Sequence, residues 1–169
     1  MPSRSVTLVY LEMLDRAAFC PKPAPTGFEV ALVEPADPAL NRRFYREVGS
    51  PWNWTDRLVW SEDDWRRYVH RDVLTTWVGR AADQSVGYFE LEAQREGQVE
   101  IAYFGLRPDF IGCGFGGPLL SAAIEHAWRL PETRRVWVYT CSDDHPHALP
   151  NYRKRGLSVF KTETIEKPM

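Results

Sequence analysis

Residues 106–120, Leu-Arg-Pro-Asp-Phe-Ile-Gly-Cys-Gly-Phe-Gly-Gly-Pro-Leu-Leu, constrain this chain more than any other segment. They join a strand-like stretch (residues 100–106) to a helix-like one (residues 114–130). Gly112, Gly114, Gly116 and Gly117 let the backbone turn tightly and come close to a ligand. Their N–H groups feed into a helix start, where unpaired donors and the positive dipole end favour an anion. A pyrophosphate is the natural guest.

Two cofactor classes compete for that cradle. Gly112, Gly114 and Gly117 satisfy G-x-G-x-x-G, the dinucleotide fingerprint, which also needs a strand directly before it and an acid about 20 positions later. Here residues 106–111 intervene after the strand, and the next strand (residues 135–139) meets no acid until Asp143. Only 52 residues follow Gly117, too few for the second half of a dinucleotide-binding sheet. No Gly-Lys-Ser/Thr follows, which excludes a P-loop.

The rest of the chain alternates strands and helices. Residues 5–13 and 28–33 read as strands, joined by a stiff loop with Pro21, Pro23 and Pro25. Asp37-Pro38 opens a helix to about Val48, with Leu40, Phe44, Tyr45 and Val48 on one face. Ser61-Glu62-Asp63-Asp64 opens a second helix as a capping box, so these carboxylates are read as structural. Strands follow at residues 73–80, 85–92, 100–106, 134–140 and 157–164, with helices at 114–130 and up to Gly156. One domain over residues 1–169 is the default for this length and a 44% hydrophobic content.

From Glu100 to Phe160 the chain resembles the GNAT superfamily of N-acetyltransferases. The resemblance lies in the order strand, glycine turn, helix, strand, short helix, strand, and in two motifs. The family's turn reads Arg/Gln-x-x-Gly-x-Gly/Ala; this chain has Ile111-Gly112-Cys113-Gly114-Phe115-Gly116, with Ile111 and Cys113 at positions usually polar and basic. The family's Ala-x-x-x-Tyr-x-x-x-Gly-Phe is matched by Ala148, Tyr152, Gly156 and Leu157. The element order β-β-α-α-β-β-β-α-β-α-β is that of the family with one extra strand at the front. The resemblance implies an α/β fold: a mixed, twisted sheet flanked by helices, its middle strands splayed around acetyl-CoA as cosubstrate.

Acetyl transfer to an amine sets the candidate residues. An ammonium of pKa ~10.4 must lose its proton, and the departing thiolate must gain one. Tyr152 is the candidate acid. Glu100, heading Glu-Ile-x-x-x-x-Leu, is the first candidate base, and burial on a splayed strand would raise its pKa. Glu90, which shares a strand face with Glu92, is the reserve base and a candidate acceptor contact. By the resemblance, freed amides of Phe104, Gly105 and Leu106 orient the thioester, with Gly105 suiting a bulge. Ile111, Gly112, Cys113, Gly114, Phe115, Gly116 and Gly117 hold the phosphates, and His145 and Asn151 meet the pantetheine.

The loop between the first two helices (residues 49–58) covers the acceptor pocket in this family. Trp52, Trp54 and Asp56 would box a cationic amine there, or the tryptophans would clamp the loop as a lid. The reading is an N-acetyltransferase acting on a primary amine of a small molecule or peptide by direct attack in a ternary complex. The alternative is a catalytically silent acyl-CoA-binding sensor or scaffold, motivated by Ile111 and Cys113.

Other classes find little support. A net charge of −2 gives no basic face for nucleic acid. Cys20, Cys113 and Cys141 are scattered, without a metal or disulfide framework, and His145 and His147 lack a third ligand. No apolar run of membrane-spanning length occurs, and the charges after residues 6–11 interrupt any signal core. The expectation is a cytoplasmic protein without metal, a possible homodimer through its last strand (residues 157–165).

Overall fold

A computed structural model describes residues 1–169. Seven strands form one sheet: β1 (Ser3–Met13), β2 (Phe28–Leu32), β3 (Leu74–Ala81), β4 (Gln84–Ala93), β5 (Gln98–Leu106), β6 (Arg135–Cys141) and β7 (Ser158–Pro168). Their spatial order is β2-β3-β4-β5-β6-β1-β7. All neighbours are antiparallel except β5 and β6, so the sheet is mixed, as expected. The expected front strand is not an appendage: β1 sits between β6 and β7.

Four helices cover the sheet. α1 (Pro38–Gly49) and α2 (Glu62–Val69) lie on one face, over β3 to β5. α3 (Gly116–Arg129) and α4 (Ala148–Lys154) pack together on the other. Local signals start the first two. The Asp37 side chain accepts from the Leu40 amide with Pro38 at the first helical position, and Ser61 and Asp64 close a reciprocal capping box. Asp63 and Asp64 pair with Arg66 and Arg67 one turn on, which confirms their structural reading.

The main core forms between the sheet and α3, where Leu119, Leu120, Ala123, Ile124 and Ala127 meet Val86, Phe89, Leu91, Ile101 and Val136. Smaller aromatic clusters fill the α1/α2 side around Phe44, Tyr88, Tyr45 and Trp65. No helix is long and apolar enough to cross a membrane.

The feature that makes the site is a partial pairing. β5 and β6 pair only at Gln98–Arg135, Val99–Val136 and Glu100–Trp137. Beyond Glu100 the two strands diverge, and β6 continues along β1. β5 also carries a register shift against β4, between the pairs Glu90–Tyr103 and Leu91–Ile101. Ala102 is therefore the extra residue, and a bulge of this kind bends its strand.

Candidate active site

The divergence of β5 from β6 opens a cavity of about 750 Å³. Its walls are Ile101 to Leu106 on one side and Val138, Tyr139 and Cys141 on the other. One end holds Gly112, Gly114, Gly116 and Gly117; the other holds Trp52, Trp54 and Asp56. Tyr152 lines it between them.

At the glycine end the backbone provides the cradle. Gly112 and Gly114 have φ of 82° and 88°, a left-handed conformation in which a side chain would be strained. The first bond within α3 is donated by Leu119 to the Phe115 carbonyl. Pro118 has no N–H, so the amides of Gly116 and Gly117 stand ahead of the helix without a protein acceptor. Asn151 Nδ2 donates to the Gly116 carbonyl at 3.1 Å and fixes α4 against this turn. A Cβ on Gly117 would come within 2.6 Å of Arg155 Nη1 and Lys22 Cδ, so the cradle is open only because that residue is glycine. Free amides, a helix start and nearby cations fit the pyrophosphate of a coenzyme A thioester.

Two predicted cradle residues do not join it. Cys113 is exposed, and its amide is spent on the Phe110 carbonyl at 3.3 Å. Phe115 turns into the core, stacked on Phe28 with centroids 5.5 Å apart. The left-handed Gly112 and Gly114 turn the chain sharply on either side of Cys113, and Phe115 buries its ring against Phe28 and Phe110. Ile111 does line the cavity, as an apolar wall.

The strand amides are also redistributed. Arg107 donates to the Val86 carbonyl at 2.8 Å, and Gly105 stands opposite Tyr88. Antiparallel alternation then turns the Gly105 N–H toward β4, leaving Phe104 and Leu106 with amides toward the gap. Gly105 is not the bulge either. A Cβ there would collide with Val48 Cγ1, so its role is to let α1 approach the sheet.

Tyr152 is 5% exposed, its ring 6.1 Å from that of Phe104. The residue lines the cavity. Burial, with Asp144 adding to it, raises its pKa and keeps the phenol protonated. Asp144 bridges the two halves of the site. It accepts from the Cys141 amide at 3.0 Å, from the Thr140 hydroxyl and from Trp54 Nε1 at 3.3 Å. Sequence reasoning passed over this residue.

The candidate bases separate. Glu100 lies at the closed end of the splay, opposite Glu92 on β4 and outside the cavity lining. Burial pushes its carboxyl up to about 7, and Glu92 adds to the shift. Glu90 is neither a solvated residue nor an acceptor contact. It is fully buried, accepting from Asn41 Nδ2 at 2.8 Å, the Tyr68 hydroxyl at 2.8 Å and Arg57 Nη1 at 3.2 Å. It faces α1 and α2, and these three donors occupy its oxygens. Its reading as reserve base or acceptor contact is therefore wrong: it anchors Arg57.

That anchoring frees Asp56. Arg57 pairs with Glu90 and Arg66 with Glu62 and Asp63, so the exposed Asp56 carboxylate faces the cavity without a cation. Both Trp52 and Trp54 line the cavity and are also clamped. Trp54 packs on Tyr103 and Tyr45, with centroids at 4.9 and 5.7 Å, and Trp52 stands edge-on to His145 at 5.0 Å. His145 reaches the cavity, its pKa lowered by partial burial and by His147. Lys22 and Arg155, which flank the glycine cradle, were not anticipated. The signal available was slight: one lysine in a proline-rich loop and one arginine before Gly156.

A mixed sheet split between two parallel strands, with an anion cradle at one end of the gap, is the framework that defines this fold. The chain belongs to the acetyltransferase (GNAT) family, whose model matches residues 39–157. Solved structures with the same fold include a GCN5-related N-acetyltransferase from Sphaerobacter thermophilus, 16% identical with a TM-score of 0.73, covering 97% of this chain and 53% of that one. Another is a GCN5-related N-acetyltransferase from Kribbella flavida, also 16% identical with a TM-score of 0.69, covering 97% and 58%. An aminoglycoside acetyltransferase from an uncultured soil metagenomic sample, in complex with sisomicin, is 13% identical with a TM-score of 0.62, covering 76% of this chain and 87% of that one. The chain thus spans little more than half the length of the first two. No curated protein matches it in sequence.

Proposed function

We propose that this protein is an acetyl-CoA-dependent N-acetyltransferase that acetylates a primary amine by direct attack in a ternary complex. The observation that carries the reading is the single cavity. It runs from the glycine cradle, past the diverging strand and Tyr152, to an unpaired carboxylate among aromatic rings. Its volume of about 750 Å³ is in the range of a small-molecule site.

The bound cosubstrate supplies an activated acyl group. The chain's residues do the rest. Amides of Phe104 and Leu106 hold the pantetheine arm and the thioester carbonyl along the gap. Asp56 draws the cationic acceptor into the mouth, where Tyr103, Tyr139 and Trp54 present ring faces and edges to it. Glu100 takes the amine's proton through water, since its carboxyl near 7 suits that task but lies outside the lining. Tyr152 donates its phenolic proton to the leaving sulfur. Direct attack is favoured over a covalent acyl-enzyme because Cys113 is outside the cavity, and burial, followed by Asp144, raises the Cys141 thiol. The aminoglycoside bound in one structural neighbour supports a cationic small-molecule acceptor over a protein tail.

The test is thiol release from acetyl-CoA with an amine panel. Wild type should turn over at least one cationic amine, and Tyr152→Phe should lower kcat about 100- to 10,000-fold. Tight acetyl-CoA binding with no release for any amine would favour the silent binding module. Equal rates for wild type and Tyr152→Phe would end the acid assignment.

A further inference from the structure

We propose that Lys22 and Arg155 form a two-cation clamp across Gly117 that grips the phosphate end of the cosubstrate. They would replace the charge and polarity missing from the turn at Ile111 and Cys113. The inference rests on the acetyl-CoA reading above.

Four observations carry it. First, the Arg155 guanidinium has no acid partner, and its Nε is buried without any hydrogen-bond acceptor. A buried, unsatisfied cationic donor is costly, and an anion in the adjacent cradle would satisfy it. Second, Arg155 Nη1 and the Lys22 stem reach the same point, each 2.6 Å from where a Cβ on Gly117 would stand. Third, both residues line the glycine end of the cavity, beside the free amides of Gly116 and Gly117. Charge and helix start thus converge on one spot.

Fourth, Lys22 is held there by its backbone. Its amide donates to Ser121 Oγ at 2.8 Å, and Ser121 donates to the Gly117 carbonyl at 2.8 Å. Cys20 N–H donates to the Arg155 carbonyl at 2.9 Å. The proline-rich loop is therefore stitched to α3 and to the end of α4, and it carries one cation to the cradle while steadying the other. Lys22 lies outside residues 39–157, the part matched by the family model. Arg155 lies within that part, two residues before its end.

Binding separates the possibilities. Acetyl-CoA and S-acetylpantetheine, which lacks the nucleotide and its phosphates, are titrated by calorimetry into wild type, Arg155→Gln, Arg155→Lys and Lys22→Gln. Arg155→Gln should weaken acetyl-CoA about 10- to 100-fold and leave S-acetylpantetheine within about two-fold. Arg155→Lys should recover part of the loss. The more exposed Lys22→Gln should cost about three-fold at low salt and less at high salt. Unchanged acetyl-CoA affinity in Arg155→Gln, or equal loss for both ligands, would overturn the clamp. Failure of wild type to bind acetyl-CoA would overturn the proposed function along with it.

Discussion

Glu90→Gln is the sharpest perturbation the structure offers. The substitution keeps the side chain's shape and one acceptor oxygen for Asn41 or Tyr68. It removes the charge opposite Arg57, whose side chain is only 8% exposed. The guanidinium is then left with the rings of Tyr68 and Tyr103, 4.0 and 4.1 Å away. Cation–π attraction offsets part of the loss, up to about 2 kcal/mol for a desolvated pair. Breaking a buried ion pair on one side costs about 3–5 kcal/mol, so about 3 kcal/mol is the expected net destabilisation. For a chain of 169 residues that lowers Tm by roughly 6–12 °C. Urea and thermal unfolding at pH 7 measure it. The double variant Glu90→Leu, Arg57→Met removes both charges and should return to within about 1 kcal/mol of wild type. A Glu90→Gln cost below about 1 kcal/mol would refute the anchoring argument. Intact stability with lost turnover would return Glu90 to the chemistry.

Two further perturbations test the site. The Glu100 carboxyl titrates near 7 in the fold against an ordinary 4.5, so the folded state keeps a proton the unfolded chain has lost. That contribution is fully present below about 4.5, declines as pH rises to about 7 and stays lost above it. The wild-type minus Glu100→Gln difference in urea midpoint should show that slope. As proton acceptor, Glu100 should also give a kcat/KM that rises to a plateau through the same pH region; superimposable profiles for the two proteins would exclude it. Gly105→Ala drives a methyl into Val48 and should cost about 1–3 kcal/mol, with Val48→Ala restoring much of the stability in the double variant, measured by thermal unfolding.

What was legible in the sequence was local chemistry. Asp37-Pro38 and Ser61 through Asp64 started helices because capping needs only neighbours in the chain. The two left-handed glycines and Tyr152 sat in motifs whose spacing survives without tertiary information. The element order, and hence the mixed sheet, followed from hydrophobic periodicity. What failed depended on distant partners. Glu90 alternates with apolar residues as an exposed strand residue would, and only α1, α2 and the loop carrying Arg57 turn that face into an interior. Gly105 resembled a bulge until Val48 was placed above it. The bulge fell at Ala102, a residue with no turn propensity to mark it. Cys113 and Phe115 looked like cradle residues because a motif gives positions but not side-chain directions. Lys22 and Arg155 meet across most of the chain's length, beyond the reach of any local pattern.

The placement of β1 also governs how the molecule can be assembled. Its two sheet neighbours, β6 and β7, lie far along the chain from it, and Ser3 pairs with Pro168. β1 must therefore wait for both of them, its hydrogen-bonding edges and apolar residues unpartnered until β6 and β7 have been made. Pairings of such long sequence separation pay the full loop-closure entropy before any contact repays it, and they slow folding. Strands β2 to β5 with α1 and α2 can form earlier from near neighbours. The half of the sheet holding β6, β1 and β7 closes last, and with it the second wall of the cavity.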